Sequence, residues 1–90
     1  MTGLEGKIVL VTGASSGIGA EAAKHFAALK CRLSLVARNM DNLNRVAEVC
    51  KTAGAPEVIV LSKDLSFTEE CISAVEDTVA HFKGMYYRWC

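Results

Sequence analysis

The chain has 90 residues, 51% of them hydrophobic, and its ten basic and ten acidic side chains cancel. This length allows one small domain, and the balanced charge argues against nucleic acid or an anionic membrane as a partner. No stretch reaches the roughly 20 apolar residues of a membrane span, and residues 1–7 do not resemble a signal peptide.

A glycine-rich loop joins the first predicted strand to the first predicted helix. Residues 7–12 form an apolar run typical of a buried parallel strand. Residues 17–29 have the helical period, with one apolar stripe made of Ile18, Ala22, Phe26 and Leu29. The loop between them reads Thr12-Gly13-Ala14-Ser15-Ser16-Gly17-Ile18-Gly19. Glycines let the main chain come close to a pyrophosphate, and the first N–H groups of a helix lack internal partners. The arrangement therefore predicts a phosphate-binding site.

Two further strand–helix units follow. Residues 32–37 and 57–61 are predicted strands. The helix between them is predicted to begin at a cap formed by Asn39 or Asp41 and to end before Gly54 and Pro56. Its apolar positions are Leu43, Val46, Ala47 and Cys50. A capping box from Ser66 to Glu69 begins the third helix, which runs to about Gly84. The apolar face of that helix consists of Ile72, Val75, Val79 and Phe82.

The order βαβαβα predicts an α/β fold with a parallel three-stranded sheet in the strand order 3-2-1, which is half of a Rossmann sheet. We expect residues 1–84 to form this partial domain and residues 85–90 to be a tail that departs from its pattern. Ligands of such folds bind at the carboxyl ends of the strands. The residues that follow each strand are therefore the candidate site.

The glycine loop resembles the cofactor loop of the short-chain dehydrogenase/reductase family, whose members carry Thr-Gly-x-x-x-Gly-x-Gly at this place. The resemblance runs from about Lys7 to about Gly84 and implies the N-terminal, NAD(P)-binding portion of an oxidoreductase. It implies that Gly13 permits the tight turn, Gly17 the close approach to phosphate, and Gly19 the packing of helix on strand. Hydroxyl or main-chain N–H groups would reach ribose and phosphate from Ser15, Ser16 and Ile18. The alternative for the serines is that they only make the turn soluble or form it.

The residues after the second strand, Ala37-Arg38-Asn39, bear on the choice of cofactor. Relatives that prefer NAD usually carry aspartate where this chain has Ala37, and the planar fork of Arg38 suits a 2′-phosphate. The resemblance therefore implies NADP(H) rather than NAD(H), with Arg38 and Asn39 beside the adenosine. A solvated surface arginine is the alternative. Ser16 also stands where many NADP-preferring relatives have a basic residue.

The third strand is followed by Asp64 and Leu65. In the family, an aspartate at this position accepts a hydrogen bond from the adenine amino group, and the main chain of the next residue contributes. The alternative is that Asp64 only starts the turn into the third helix.

The catalytic residues of the family have no counterpart in this chain. The family uses a Tyr-x-x-x-Lys pair, a serine and an asparagine, and the lysine lowers the pKa of the tyrosine. Tyr86 is followed four places later by Cys90, so we assign no catalytic residue. We expect a fragment produced by truncation, splicing or a frameshift near Gly84. Loss of the fourth strand would leave the first strand as an open edge for self-association, unless residues 85–89 pair with it or cover it.

The four cysteines are Cys31, Cys50, Cys71 and Cys90, and they lack the spacing of a zinc site. We assign no metal and expect reduced thiols, which predicts a cytoplasmic location. The leading functional hypothesis is the NADP(H)-binding portion of a hydride-transferring oxidoreductase. The alternatives are a catalytically silent nucleotide-binding or interaction fragment, and a product that folds poorly.

Overall fold

Strands and helices alternate along the whole of the computed structural model, which describes residues 6–15, 17–64, 66–82 and 86–89. The elements are β1 (Ile8–Thr12), α1 (Gly17–Ala28), β2 (Arg32–Ala37), α2 (Met40–Ala53), β3 (Val58–Ser62), α3 (Thr68–Phe82) and β4 (Tyr86–Trp89). The six predicted elements are confirmed, each to within a residue or two of its expected bounds.

The strands form one parallel sheet in the order β3-β2-β1-β4. Within it Val9 of β1 lies opposite Leu33 of β2, and Leu35 lies opposite Val60 of β3. The predicted order 3-2-1 is therefore confirmed. Parallel pairing brings the carboxyl ends of the strands to one edge of the sheet, which is where the candidate residues follow.

The fourth strand corrects one expectation. Residues 86–89 pair in parallel with β1, with Ile8 opposite Tyr86 and Val11 opposite Trp89. The open edge at β1 that loss of the fourth strand would leave is absent, because the second row of main-chain hydrogen-bonding groups of β1 pairs with β4. Of the two outcomes left open for residues 85–89, pairing is the one observed at residues 86–89.

Side chains of β1 and β2 are buried on both faces of the sheet. The side chains at odd-numbered positions of β1 and β2 pack with α1 and α2 in one core cluster. These strand residues are Val9, Val11, Leu33, Leu35 and Ala37. Leu10 and Val36 point to the opposite face and pack with Ala74 of α3. The alternation is the period of two that a strand imposes, and it explains why both strands are apolar almost throughout.

The face of α1 that packs on the sheet is not the predicted apolar stripe. Ala20, Ala23 and Ala27 are the buried residues of the helix, whereas Ile18 is 80% exposed. Phe26 and Leu29 are only partly buried against the core. Hydrophobic period selects the largest apolar residues, but a helix can lie close to a sheet only where its side chains are small.

The core face of α3 also differs from the prediction. Its buried residues are Ala74, Thr78 and Phe82, so Phe82 is placed as expected. Ile72 of the predicted stripe is 54% exposed. Thr78 is buried because its hydroxyl pairs with the buried Ser34 of β2, with 2.7 Å between the two oxygen atoms. This polar contact between β2 and α3 lies on the face of the helix that packs against the sheet.

The helices are short. The longest in the described part of the chain is α3, whose 15 residues at 1.5 Å per residue span about 22 Å. No helix in that part is long and apolar enough to cross a bilayer.

Candidate nucleotide-binding site

The loop after β1 has the turn geometry that glycine allows. Gly13 and Gly17 have φ angles of +62° and +60°, a region that L side chains rarely adopt. A Cβ atom at either residue would meet no atom within 4 Å. The main chain at these two glycines is therefore not covered by other atoms, and a phosphate needs such an exposed main chain to approach closely. The N–H of Ala14 donates to the carbonyl of Val36 at 3.2 Å, which ties the loop to β2.

Gly19 is needed for a different reason. A Cβ atom at this residue would lie 2.1 Å from the carbonyl oxygen of Gly13 and 3.1 Å from that of Thr12. The first turn of α1 therefore lies directly against the main chain of the loop. This agrees with the helix-on-strand packing expected of Gly19.

The beginning of α1 is open to a ligand. The helix starts at Gly17, and no acidic side chain lies in its first turn to neutralise the positive end of its dipole. The side chain of Ile18 is exposed beside the loop, and Ser15 is half-buried. Ser16, the other serine assigned to the site, lies outside the described residues.

At the end of β2, Ala37 is buried and Arg38 is exposed. The carbonyl oxygen of Arg38 accepts a hydrogen bond from Ser62 Oγ at 3.2 Å, which fixes its main chain against β3. Asn39 is the N-cap of α2, as predicted, and its Oδ1 accepts a hydrogen bond from the N–H of Asn42 at 3.1 Å. The cap orients that oxygen, and it leaves the Nδ2 amide group of Asn39 available to a ligand.

At the end of β3, Asp64 forms the turn that leads into α3. Its Oδ1 accepts hydrogen bonds from the Ser66 N–H at 3.0 Å and from Ser66 Oγ at 2.6 Å. These bonds lower the pKa of the Asp64 carboxyl, and the nearby charge of Arg38 adds to the effect. The expected capping role of Ser66 is thus replaced by donation to Asp64. Leu65 lies outside the described residues.

The three strand ends border one cleft of about 480 Å³. It is lined by Gly13, Ser15, Ala37, Arg38, Asn39, Lys63, Asp64 and Ser66. Five of these residues, Gly13, Ser15, Arg38, Asn39 and Asp64, are predicted site residues, and Ala37 was predicted to lie beside them, whereas Lys63 and Ser66 were not assigned to the site. The position of Lys63 directly after a strand was the available signal. Lys63 Nζ lies 2.9 Å from Ser73 Oγ and 3.3 Å from Asp77 Oδ2, so its charge is directed to α3.

A larger groove, of about 910 Å³, lies between α1 and α2. Ala22, Phe26 and Val46 make much of its wall apolar. We regard the smaller cleft as the candidate site because it lies at the strand ends and because charged and polar groups from three loops converge there.

Comparison with known proteins identifies the family. A family model described as short chain dehydrogenase matches residues 7–86. The chain belongs to this family. The match covers the loop, all three strand ends and the first residue of β4, so the resemblance noted from the glycine loop holds for nearly the whole chain.

The individual relatives that this chain matches are longer proteins. The chain is 43% identical over 79 residues to 11-beta-hydroxysteroid dehydrogenase 1A of Arabidopsis thaliana, covering 88% of this chain and 23% of the relative. It is 43% identical over 77 residues to 11-beta-hydroxysteroid dehydrogenase A of Arachis hypogaea, covering 86% and 22%. The chain therefore spans about a quarter of the length of these relatives.

Solved structures with the same fold hold either cofactor. The L-sorbose reductase of Gluconobacter frateurii, complexed with NADPH and L-sorbose, is 33% identical with a TM-score of 0.83 over 90% of this chain and 31% of its own. An NAD⁺-bound xylitol dehydrogenase is 26% identical with a TM-score of 0.87 over 94% and 32%. Family membership thus implies a dinucleotide, and the choice between NADP and NAD depends on this chain's own residues.

Proposed function

We propose that this chain is the N-terminal NADP(H)-binding portion of a short-chain dehydrogenase that transfers hydride between nicotinamide and a carbonyl or alcohol substrate. In this proposal Gly13, Ser15, Ser16, Gly17, Ile18 and Gly19 contact the pyrophosphate and the adjoining ribose. Arg38 and Asn39 lie at the adenosine 2′-phosphate, and Asp64 and Leu65 at the adenine. The residues of this chain bind and orient the dinucleotide, which itself supplies the hydride.

The proposed preference for NADP rests on the two residues at the end of β2, Ala37 and Arg38. Ala37 is small and uncharged where a carboxylate would repel a 2′-phosphate, and the exposed guanidinium of Arg38 borders the cleft. A guanidinium forms paired hydrogen bonds with phosphate oxygens. The hydroxyl of Ser62, at the end of β3, donates a hydrogen bond to the Arg38 carbonyl and so limits the movement of the Arg38 main chain.

The test compares adenosine 2′,5′-bisphosphate with 5′-AMP by titration calorimetry. We expect the purified chain to bind the bisphosphate more tightly by about 10- to 100-fold, the value of a charge-assisted hydrogen bond. Arg38→Gln should remove most of this ratio. Arg45→Gln is the matched control, since Arg45 is also exposed but borders the groove between α1 and α2 rather than the cleft. Equal affinities in the wild type would refute the NADP preference.

A second substitution is designed to reverse the cofactor preference. Ala37→Asp introduces the carboxylate that the ribose diol of NAD favours and a 2′-phosphate does not. We expect the ratio of the two affinities to fall below one. An unchanged ratio would mean that the end of β2 does not contact the ribose.

We further propose that this chain alone does not turn over substrate, because it offers no Tyr-x-x-x-Lys pair. Carbonyl-dependent oxidation of NADPH by the purified chain would contradict this. A cytoplasmic location stays a prediction that rests on the cysteines: Cys31, Cys50 and Cys71 are thiols rather than disulfide partners.

A further inference from the structure

We propose that Asp64 tunes the preference for a 2′-phosphate by competing with it for the guanidinium of Arg38. The inference rests on the proposed function, because it concerns the same cleft. It assigns Asp64 an effect on cofactor choice, in addition to its place beside the adenine. Asp64 thereby becomes a specificity-determining residue that acts through its neighbour.

The geometry supports a contact that is present without ligand. Arg38 Nη1 lies 3.9 Å from Asp64 Oδ2, and the two side chains are 78% and 30% exposed. A serine donates a hydrogen bond to the main chain of Arg38, and another donates to the carboxylate of Asp64. Ser62 holds the carbonyl of Arg38, and Ser66 holds Oδ1 of Asp64 through both its N–H and its hydroxyl. The carboxylate is therefore fixed, and its second oxygen is left to face the arginine.

The charges make the contact competitive. The hydrogen bonds from Ser66 lower the pKa of Asp64, so its carboxylate is ionised at neutral pH. A 2′-phosphate needs the same guanidinium, and it must draw the arginine away from Asp64 to form paired hydrogen bonds. A ligand without that phosphate leaves the pair intact. Asp64 therefore weakens the binding of the phosphorylated ligand alone.

Any hydrogen bond from Asp64 to the adenine is common to both ligands and cancels in the ratio of their affinities. That ratio is thus the quantity to measure. Exposed ion pairs are weak, so the expected effect of Asp64 on the ratio is at most about fivefold.

The experiment is a double-mutant cycle on the ratio of the dissociation constants of 5′-AMP and adenosine 2′,5′-bisphosphate. Asp64→Asn should raise the ratio by about two- to fivefold. The same change in the Arg38→Gln background should leave the ratio unchanged, because nothing is left to compete for. Asp41→Asn is the control, since it removes an exposed carboxylate from the first turn of α2.

The outcomes separate the two proposals. A wild-type ratio near one overturns the proposed NADP preference, and this inference with it. A high wild-type ratio that falls in Arg38→Gln but does not rise in Asp64→Asn overturns the inference alone. A rise of equal size in the Arg38→Gln background also overturns it, since that indicates direct repulsion of phosphate by Asp64.

Should Asp64→Asn fail to fold, Ser66→Ala keeps the carboxylate but removes one anchor. A smaller rise then supports the inference, and an unchanged ratio overturns it.

Discussion

Replacement of Gly19 by alanine tests whether the loop is held by close packing of helix on main chain. Gly19 lies inside α1, where alanine is intrinsically favoured over glycine by about 1 kcal/mol. Helix propensity alone therefore predicts a more stable protein. The added Cβ would lie 2.1 Å from the Gly13 carbonyl oxygen, whereas ordinary contacts begin at 3.4 Å. The helix must withdraw by more than 1 Å, and the atom that it meets belongs to the main chain.

Such overpacking costs about 3 kcal/mol, at the upper end of the usual range, because a main-chain atom cannot rotate away. Subtracting the gain of about 1 kcal/mol in helix propensity leaves a net loss of about 2 kcal/mol. For a domain of this size, each kcal/mol shifts the melting temperature by about 4–8 °C. We therefore expect Gly19→Ala to lower the Tm by about 8–16 °C.

The assay is thermal unfolding followed by circular dichroism at 222 nm. The control is Gly17→Asn: nothing lies within 4 Å of a Cβ at Gly17, and asparagine tolerates its positive φ. We expect this variant to unfold within about 1 kcal/mol of the wild type, as substitutions free of steric conflict usually do. A Gly19→Ala protein that melts at or above the wild-type temperature would refute the close-packing argument.

Three further predictions concern stability. Thr78→Val should lower the free energy of unfolding by about 1–3 kcal/mol because it leaves the buried Ser34 hydroxyl without its partner. Ser34→Ala should cost less, about 1 kcal/mol, since the Thr78 hydroxyl keeps a main-chain acceptor on its own helix; urea unfolding that reverses this order contradicts the assignment. Burial raises the pKa of the Cys50 thiol to about 11, so the unfolded chain loses this proton first and stability falls as the pH rises from about 9 to 11. Cys50 accounts for a loss of about 2 kcal/mol between pH 8 and 10.5, and Cys50→Ala should lose that much less stability over this interval, as urea midpoints at the two pH values would show. Asn39→Ala removes the acceptor for the Asn42 N–H and should cost about 1 kcal/mol, whereas Asn39→Ser should restore most of it; equal melting temperatures for the two variants would show that the cap is unimportant.

The elements and their order were predictable from sequence because local signals mark them. Gly54 ends α2 with a φ of +129°, as the glycine followed by proline predicted, and Asn39 caps the same helix. The buried face of α2 was also predicted, since Leu43, Val46, Ala47 and Cys50 are its buried residues, but the faces of α1 and α3 were not. Ile18 and Ile72 have the right spacing for a core but are exposed, because buried alanines and the Ser34–Thr78 pair occupy the faces that meet the sheet.

The residues of the candidate site were likewise predictable from the sequence, but several of their contacts were not. The glycine loop, Arg38 and Asp64 were located by their places after strands, since parallel pairing brings those places together whatever the side chains are. The turn from Asp64 to Ser66 is local and was the stated alternative for Asp64. Sequence could not show that Ser62 holds Arg38 or that Lys63 is directed to α3. These contacts depend on side-chain orientation across separate loops.

The sequence by itself determined the family, the βαβαβα order and the edge of the sheet at which a dinucleotide belongs, because hydrophobic period and glycine positions are local properties. Only the tertiary structure decided which faces of α1 and α3 are buried, that residues 86–89 pair with β1, and that Asp64 faces Arg38. These features depend on distances between residues far apart in the chain. No local pattern of residues encodes such distances.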